Sequence, residues 1–228
     1  MLFWDIDGTL LSTARAGILA WEQAVAEVTG VACDLSGFAT AGLTDHEIAE
    51  ALYKHYEIDR ATSSAALVRR YEALLPEKLP QRSGSVLPGV WAILSAASRH
   101  LTIRQALLTG NTVAGARAKL SHYGLIDFFP QGGAFSDDGA TRPGIAQVAL
   151  ARARRLFGDG AFNTVVIGDT PLDVRCAHSI GAHAVAVATG TYGVAALEAE
   201  GPWWTVAHLP DPGTFFCRLG SLAHTVTP

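Results

Sequence analysis

Residues 2–10, LFWDIDGTL, place two carboxylates and a glycine directly after a short apolar run. Asp5 follows the run, and Asp7 lies two residues further on. Open α/β sheets bind ligands at the carboxyl ends of their strands, so the stretch predicts a site at the end of a first strand. Gly8 allows a sharp turn that brings the Asp7 carbonyl toward the Asp5 carboxylate. Because adjacent carboxylates repel, we expect a hard cation with oxygen ligands beside them.

A second apolar run ending in carboxylates occurs at residues 165–173, VVIGDTPLD. Thr170 as an N-cap and Pro171 as the first helical residue account for a helix start. They do not account for Asp169 at the strand tip or for Asp173 one helical turn later, which both face the mouth of the sheet. The two clusters together predict one acidic site built from two strand ends.

Short apolar runs alternate with helical patterns through most of the chain, which is typical of a parallel sheet covered by helices. The fold class predicted is therefore α/β, with a doubly wound, Rossmann-like parallel sheet. The predicted strands are residues 2–5, 101–108, 164–167 and 184–187, with 203–206 as a further candidate. The predicted helices of this core are residues 89–98, 113–123, 145–157 and 172–180.

Residues 14–84 interrupt this alternation, because they carry helical periodicity without a convincing strand. The helical patterns cover residues 18–28, 46–56 and 65–79. A connection of this length is too long for a simple loop, so we interpret it as an inserted helical cap domain. The predicted division is a core of residues 1–13 and 85–228 and a cap of residues 14–84.

The composition gives no reason to expect a nucleic-acid or membrane protein. The formal charge of −4 and the pI near 6.0 give no basic surface for a polyanion, and no stretch is apolar enough to span a membrane. The three cysteines lack the spacing of a disulfide framework or a zinc site. Free thiols in a reducing cytosol fit this pattern, so we expect a cytoplasmic protein.

The two acidic clusters resemble conserved motifs of the haloacid dehalogenase superfamily. Residues 5–10, DIDGTL, resemble its first motif, and residues 168–173, GDTPLD, resemble its fourth. Between them the family places a Ser or Thr at a strand end, and residues 106–111, ALLTGN, supply Thr109 in the expected order. The resemblance covers essentially the whole chain and is strongest to the phosphoglycolate phosphatase-like branch, which carries a helical cap.

This resemblance implies catalytic roles at the first and second motifs. Asp5 would attack phosphorus and form an aspartyl-phosphate, while Asp7 would serve as general acid and then general base. Thr109, Gly110 and Asn111 would bind the phosphoryl oxygens.

The resemblance also implies a Mg²⁺ cofactor. Asp5, the Asp7 carbonyl and Asp169 would hold the ion, and Asp173 would ligate it or orient its neighbours.

The family usually places a lysine between its second and fourth motifs, and this chain departs from that pattern. Residues 136–143, SDDGATRP, offer Arg142 just before a predicted helix. The lysine of the interval, Lys119, falls inside an amphipathic helix and is interpreted as a solvated surface residue. Arg142 is therefore predicted to be the catalytic cation and a phosphate-binding residue, with Lys119 as the alternative.

Residues 42–47, GLTDHE, lie in the cap where relatives contact substrate. Thr44 is a candidate substrate-binding residue for that reason. Thr44 and Glu47 also form a capping-box pattern, which by itself is a sufficient structural reason for the segment.

Three other functions use the same fold. A dehalogenase needs Asp5 but neither the acid nor the metal, so Asp7 and Asp169 argue against it. A phosphomutase or phosphonatase needs redirecting cap residues, and an idle phosphate-binding protein would not need the full carboxylate set. The leading interpretation is a Mg²⁺-dependent phosphatase, a monomer or homodimer that acts on a small phosphorylated metabolite. Phosphoglycolate is the first substrate candidate.

Overall fold

The computed structural model describes residues 1–58, 63–158 and 163–224. The strands in chain order are β1 (Leu2–Trp4), β2 (Leu11–Ser12), β3 (Ser85–Val86), β4 (Gln105–Leu108), β5 (Gly133–Ala134), β6 (Val165–Gly168), β7 (His183–Val187) and β8 (Trp204–Val206). The α-helices are α1 (Ala16–Thr29), α2 (Asp45–His55), α3 (Ser64–Lys78), α4 (Val90–Ser98), α5 (Val113–His122), α6 (Arg142–Phe157), α7 (Pro171–Ser179), α8 (Val194–Glu198) and α9 (Pro212–Gly220). Short 3₁₀ turns lie at Leu79–Gln81, Ile126–Phe128, Ser136–Asp138 and Ser221–His224.

Six strands form one parallel sheet in the order β5-β4-β1-β6-β7-β8. The chain moves outward from β1 through β4 to β5 and then continues on the other side of β1 with β6. This reversal opens a crevice beside the carboxyl end of β1, where doubly wound sheets bind ligands. The predicted α/β fold class is confirmed.

The central strand β1 contributes to both faces of the sheet, as the two-residue period of a strand requires. Leu2 and Trp4 pack into the hydrophobic cluster on one face, whereas Phe3 packs into the cluster on the other. Burial on both faces explains why this strand is a continuous apolar run rather than an alternating one.

The sequence prediction was wrong at two places in the sheet. The strand predicted from residue 101 begins only at Gln105, because Leu101 is 89% exposed and Arg104 donates a hydrogen bond to its carbonyl. The edge strand β5 was missed altogether. It has two residues, Gly133 and Ala134, which carry no apolar alternation.

Helices α1 to α3 form a separate hydrophobic cluster, in which Trp21 of α1 stacks on Tyr71 of α3 with ring centroids 4.0 Å apart. The chain leaves the core through β2 and returns through β3, and these strands form an antiparallel pair that the sequence did not predict. Residues 59–62 of the predicted cap, like 159–162 and 225–228 of the predicted core, lie outside the described residues. In the described parts of the chain, none of the helices combines the length and apolar character that a membrane crossing requires.

Candidate active site

Three neighbouring strands end in polar side chains within one residue of the same level of the sheet. In β1, Trp4 pairs with Leu107 of β4 and with Ile167 of β6. The chain then continues into Asp5 directly after β1, into Thr109 after β4 and into Asp169 after β6. All three side chains are buried, with exposures of 0–3%. The parallel register therefore brings together the three predicted strand-end residues.

Arg142 lies between two of the carboxylates. Its Nη1 is 2.7 Å from Oδ1 of Asp173 and 3.5 Å from Oδ1 of Asp5, and the side chain is buried. Helix α6 positions it, because Thr141 caps this helix and Arg142 is its first residue. Burial alone would lower the pKa of Arg142, but the Asp173 and Asp5 carboxylates raise it above the ordinary value. The guanidinium stays charged.

The carboxylate oxygens of Asp5, Asp169 and Asp173 lie within 4.8 Å of one another. With Arg142 as the one guanidinium between them, three carboxylates leave a formal charge of −2, which a divalent cation would balance. An all-oxygen donor set of this charge fits Mg²⁺. Both Asp173 oxygens already accept hydrogen bonds, from Arg142 and from the Thr170 N–H and hydroxyl. These contacts favour a role for Asp173 in orienting its neighbours over direct ligation of the metal ion.

Asp169 occupies a space that two glycines leave open. A Cβ on Gly8 would lie 2.3 Å from Oδ2 of Asp169, and one on Gly190 would lie 1.7 Å from the same atom. The Thr9 hydroxyl donates a 3.1 Å hydrogen bond to Oδ1 of this carboxylate. Gly8 also has a φ of 76°, a conformation that favours glycine. Only residues without a side chain permit this close approach.

Lys119 is part of the site, so its interpretation as a solvated surface residue was wrong. It is 5% exposed, and its Nζ donates to Oδ2 of Asp7 and to Oδ1 of Asn111, both at 2.6 Å. The Asn111 amide in turn donates to Asp7 at 2.9 Å and to the Thr109 hydroxyl at 2.8 Å. Asp7 is thus held by two donors while 43% of its side chain stays exposed.

The position of Lys119 could have been found from the pattern of α5. Gly115, Ala116, Lys119 and Leu120 are the buried residues of this helix, which places Lys119 on its inward face. The prediction assumed that a lysine in an amphipathic helix is exposed to solvent. A small residue three positions before it and a leucine directly after it were the available signal.

The site carries several buried carboxyl groups. Burial raises the pKa of Asp5, and Arg142 offsets part of this rise. Burial also raises the pKa of Asp169, and the Asp173 and Asp5 carboxylates raise it further. Asp45, in α2, has its pKa raised to about 7 by burial, against the opposing charge of Lys119. Each group binds its proton more tightly in the folded chain than in the unfolded one.

We therefore expect the metal-free protein to lose stability as pH rises from about 5 to 8. Folding favours protonated carboxyls here, so the stabilisation is complete below the unfolded value near 4 and declines as pH rises through the raised folded pKa values. Each kcal/mol lost lowers the Tm by about 2–4 °C. Thermal melts in EDTA test this, and a Tm that rises over this range would contradict it. Added Mg²⁺ should flatten the decline, because the ion favours ionised ligands.

A cavity of about 590 Å³ connects these groups with the helical segment. The core contributes Asp5, Asp7, Gly110, Asn111, Lys119, Arg142 and Asp169 to its lining. Helix α1 and residues 36–43 contribute apolar side chains, among them Ile18, Trp21, Phe38 and Leu43.

The structure uses the Thr44 hydroxyl in a different way from the substrate contact considered above. Thr44 accepts a hydrogen bond from the Glu47 N–H, and the Glu47 side chain accepts one from the Thr44 N–H, completing a capping box at α2. The side chain is 1% exposed. Its hydroxyl serves the helix rather than the cavity.

Sequence reasoning missed the loop after β7. Thr189 donates a hydrogen bond to the Gly8 carbonyl at 2.5 Å, and Gly190 lies against Asp169. The available signal was again the end of a strand. Because β7 is the neighbour of β6 in the sheet, the residues that follow β7 lie close to Asp169.

The family comparison agrees with this geometry. The sequence profile of the haloacid dehalogenase-like hydrolases matches residues 2–178. The chain belongs to this family. The resemblance predicted from the two acidic motifs is thereby confirmed. A curated relative, "Probable phosphatase IndB" of Dickeya dadantii, is 30% identical over 210 residues, which cover 89% of this chain and 86% of the relative.

Solved structures of other proteins share the fold. CbbY from Rhodobacter sphaeroides, solved with phosphate, superposes with a TM-score of 0.75 at 18% identity and covers 91% of this chain and 93% of its own. A hydrolase from Pseudomonas syringae has a TM-score of 0.71 at 20% identity, with 97% and 98% covered. A predicted phosphoglycolate phosphatase from Haemophilus somnus has a TM-score of 0.71 at 16% identity, with 96% and 97% covered.

Proposed function

We propose that this haloacid dehalogenase-like hydrolase is a Mg²⁺-dependent phosphatase that cleaves a small phosphate monoester through an aspartyl-phosphate on Asp5. The observation that carries the proposal is the meeting of two strand-end carboxylates, Asp5 and Asp169, with two buried cations in one cavity. The family match and the phosphatase name of the Dickeya relative support the enzyme class.

Asp5 is the proposed nucleophile. It lies at the cavity wall with Arg142 and a hydrogen bond from Thr109 beside it, and both interactions favour its ionised form. Its carboxylate oxygen would attack phosphorus in line, and the bond from phosphorus to the leaving alcohol would break. The Gly110 and Asn111 segment borders the same space and would bind phosphoryl oxygens.

Asp7 is the proposed acid and base. Its half-exposed carboxylate faces the cavity, while Lys119 and Asn111 fix its direction. It would protonate the leaving oxygen, then take a proton from the water that hydrolyses the aspartyl-phosphate. Asp5 is regenerated by that second step.

Mg²⁺, when bound, would neutralise charge on the phosphoryl group and on the carboxylates that hold it. Asp5, the Asp7 carbonyl and Asp169 are the proposed ligands. Asp173 is proposed to act through Arg142, which it holds at 2.7 Å.

Residues 14–84 are proposed to act as the cap that selects the leaving group, over a core of residues 1–13 and 85–228. A cavity of about 590 Å³ suits a small metabolite. The family resemblance makes phosphoglycolate the first ester to test.

The proposal is tested by measuring phosphate release from a panel of small monoesters, with Mg²⁺ and with EDTA. We expect metal-dependent turnover, and the ester with the highest kcat/KM identifies the leaving group. A protein that binds Mg²⁺ but releases no phosphate from any ester would instead be a mutase or a binding protein. Halide release from a haloacid without metal would indicate a dehalogenase.

Replacing Lys119 with methionine is expected to lower kcat/KM by on the order of 10²-fold, because Asp7 would lose the charge that fixes its direction. The Tm should fall as well, since the Asn111 carbonyl would lose its donor. Arg117→Met is the matched control, because Arg117 is an exposed cation of the same helix. Lys119→Met activity within threefold of the wild type would mean that Arg142 suffices as the catalytic cation.

A further inference from the structure

Asp45 belongs to the helical segment, but it is bonded to the loop that follows β4. Its backbone N–H donates to the Gly110 carbonyl at 2.8 Å, and its Oδ2 accepts from the Thr112 N–H at 2.8 Å. The side chain is 4% exposed. One residue of α2 therefore binds the candidate phosphate-binding loop at two points.

The fit between these segments is close. A Cβ on Gly110 would lie 2.8 Å from the Leu43 carbonyl oxygen and 3.0 Å from Cα of Thr44. Nearby, Nε of Arg142 donates to the Gly42 carbonyl at 3.1 Å. Residues 42–45 thus contact both the loop after β4 and the cation that pairs with Asp5.

Helix capping does not account for a buried Asp45. Thr44 and Glu47 complete the capping box without it, and an acidic residue in the first turn would favour the helix equally well if it were exposed. A buried carboxylate requires a partner, and Asp45 has one in the Thr112 N–H of the loop after β4. Within the same loop, the Asn111 amide donates to Asp7 and to the Thr109 hydroxyl.

We propose that Asp45 is a positioning residue for the phosphatase reaction: it fixes the backbone of residues 110–112, and with it the Asn111 amide that donates to Asp7. This inference rests on the proposed function. Asp45 acts through its neighbours and not by touching the phosphoryl group. Its effect is therefore on the transfer step for every ester, whatever the leaving group.

The test compares Asp45→Ala and Asp45→Asn on phosphoglycolate and on p-nitrophenyl phosphate, at a temperature where all variants are folded. We expect Asp45→Ala to lower kcat for both esters by the same factor, on the order of 10²-fold. Asp45→Asn should recover part of the loss, because its amide oxygen still accepts from Thr112 but carries no charge. Glu50→Ala is the matched control, since Glu50 is an exposed acid on α2.

Amide hydrogen exchange provides a readout that does not depend on activity. In Asp45→Ala, the amides of residues 110–112 should exchange faster, while those of β6 should not change. If the wild type is active and Asp45→Ala has the same kcat or the same amide exchange as the wild type, the inference is overturned. The phosphatase proposal would still stand. Losses that differ strongly between the two esters would also overturn it, because they would indicate substrate selection. A wild type that hydrolyses neither these esters nor any of the panel would refute the proposed function itself.

Discussion

Replacing Asp5 with asparagine is expected to reduce phosphate release by about 10⁴-fold or more, the scale seen when a catalytic nucleophile is removed. The amide has the shape of the carboxylate but cannot form the acyl phosphate. Arg142 keeps Asp173 as its partner at 2.7 Å, so the fold should survive. The Tm of the metal-free variant should equal or exceed that of the wild type, because a buried charge is removed.

The measurement is kcat/KM on the best ester of the panel, with a melt of each protein. Asp127→Asn is the matched control, because Asp127 is an exposed aspartate of the 3₁₀ turn Ile126–Phe128. An Asp5→Asn variant with a tenth of wild-type activity or more would exclude the aspartyl-phosphate route.

Asp169→Asn should separate metal binding from folding. Activity is expected to fall on the order of 10³-fold, since a catalytic metal contributes several kcal/mol and about 1.4 kcal/mol corresponds to tenfold in rate. In EDTA at pH 8, however, the variant should melt at a higher temperature than the wild type. Burial and the Asp173 and Asp5 charges raise the pKa of Asp169, so its ionised form destabilises the metal-free fold.

Thermal melts at increasing Mg²⁺ concentration measure metal binding by the two proteins directly. The Tm of the wild type should rise with Mg²⁺ concentration, because a ligand that binds only the folded state stabilises it. Asp169→Asn should gain little. An equal Mg²⁺-induced shift in both proteins would show that the ion binds elsewhere, and Asp127→Asn should behave as the wild type does.

The fold was predictable because its signals are local. A strand buried on both faces must be a continuous apolar run, and a helix that starts at a capped proline needs a particular sequence, as at Thr170 and Pro171. Helices α1, α2 and α3 were predicted to within two residues at either end, since each carries a helical period. The edge strand β5 carries no such period, because two residues are too few to repeat a pattern.

The carboxylates of the site were also predictable, because a residue that follows a parallel strand lies at the carboxyl end of the sheet, where ligands bind. Sequence alone thus determined the family, the fold class and the acidic positions 5, 7, 169 and 173. It could not determine which cation faces which carboxylate. Lys119 and Asp45 are distant in sequence from Asp7, and their roles depend on how α5 and α2 pack against the loop after β4. Only the tertiary structure decided that the site has two buried cations, because burial and pairing are properties of packed surfaces and not of local sequence.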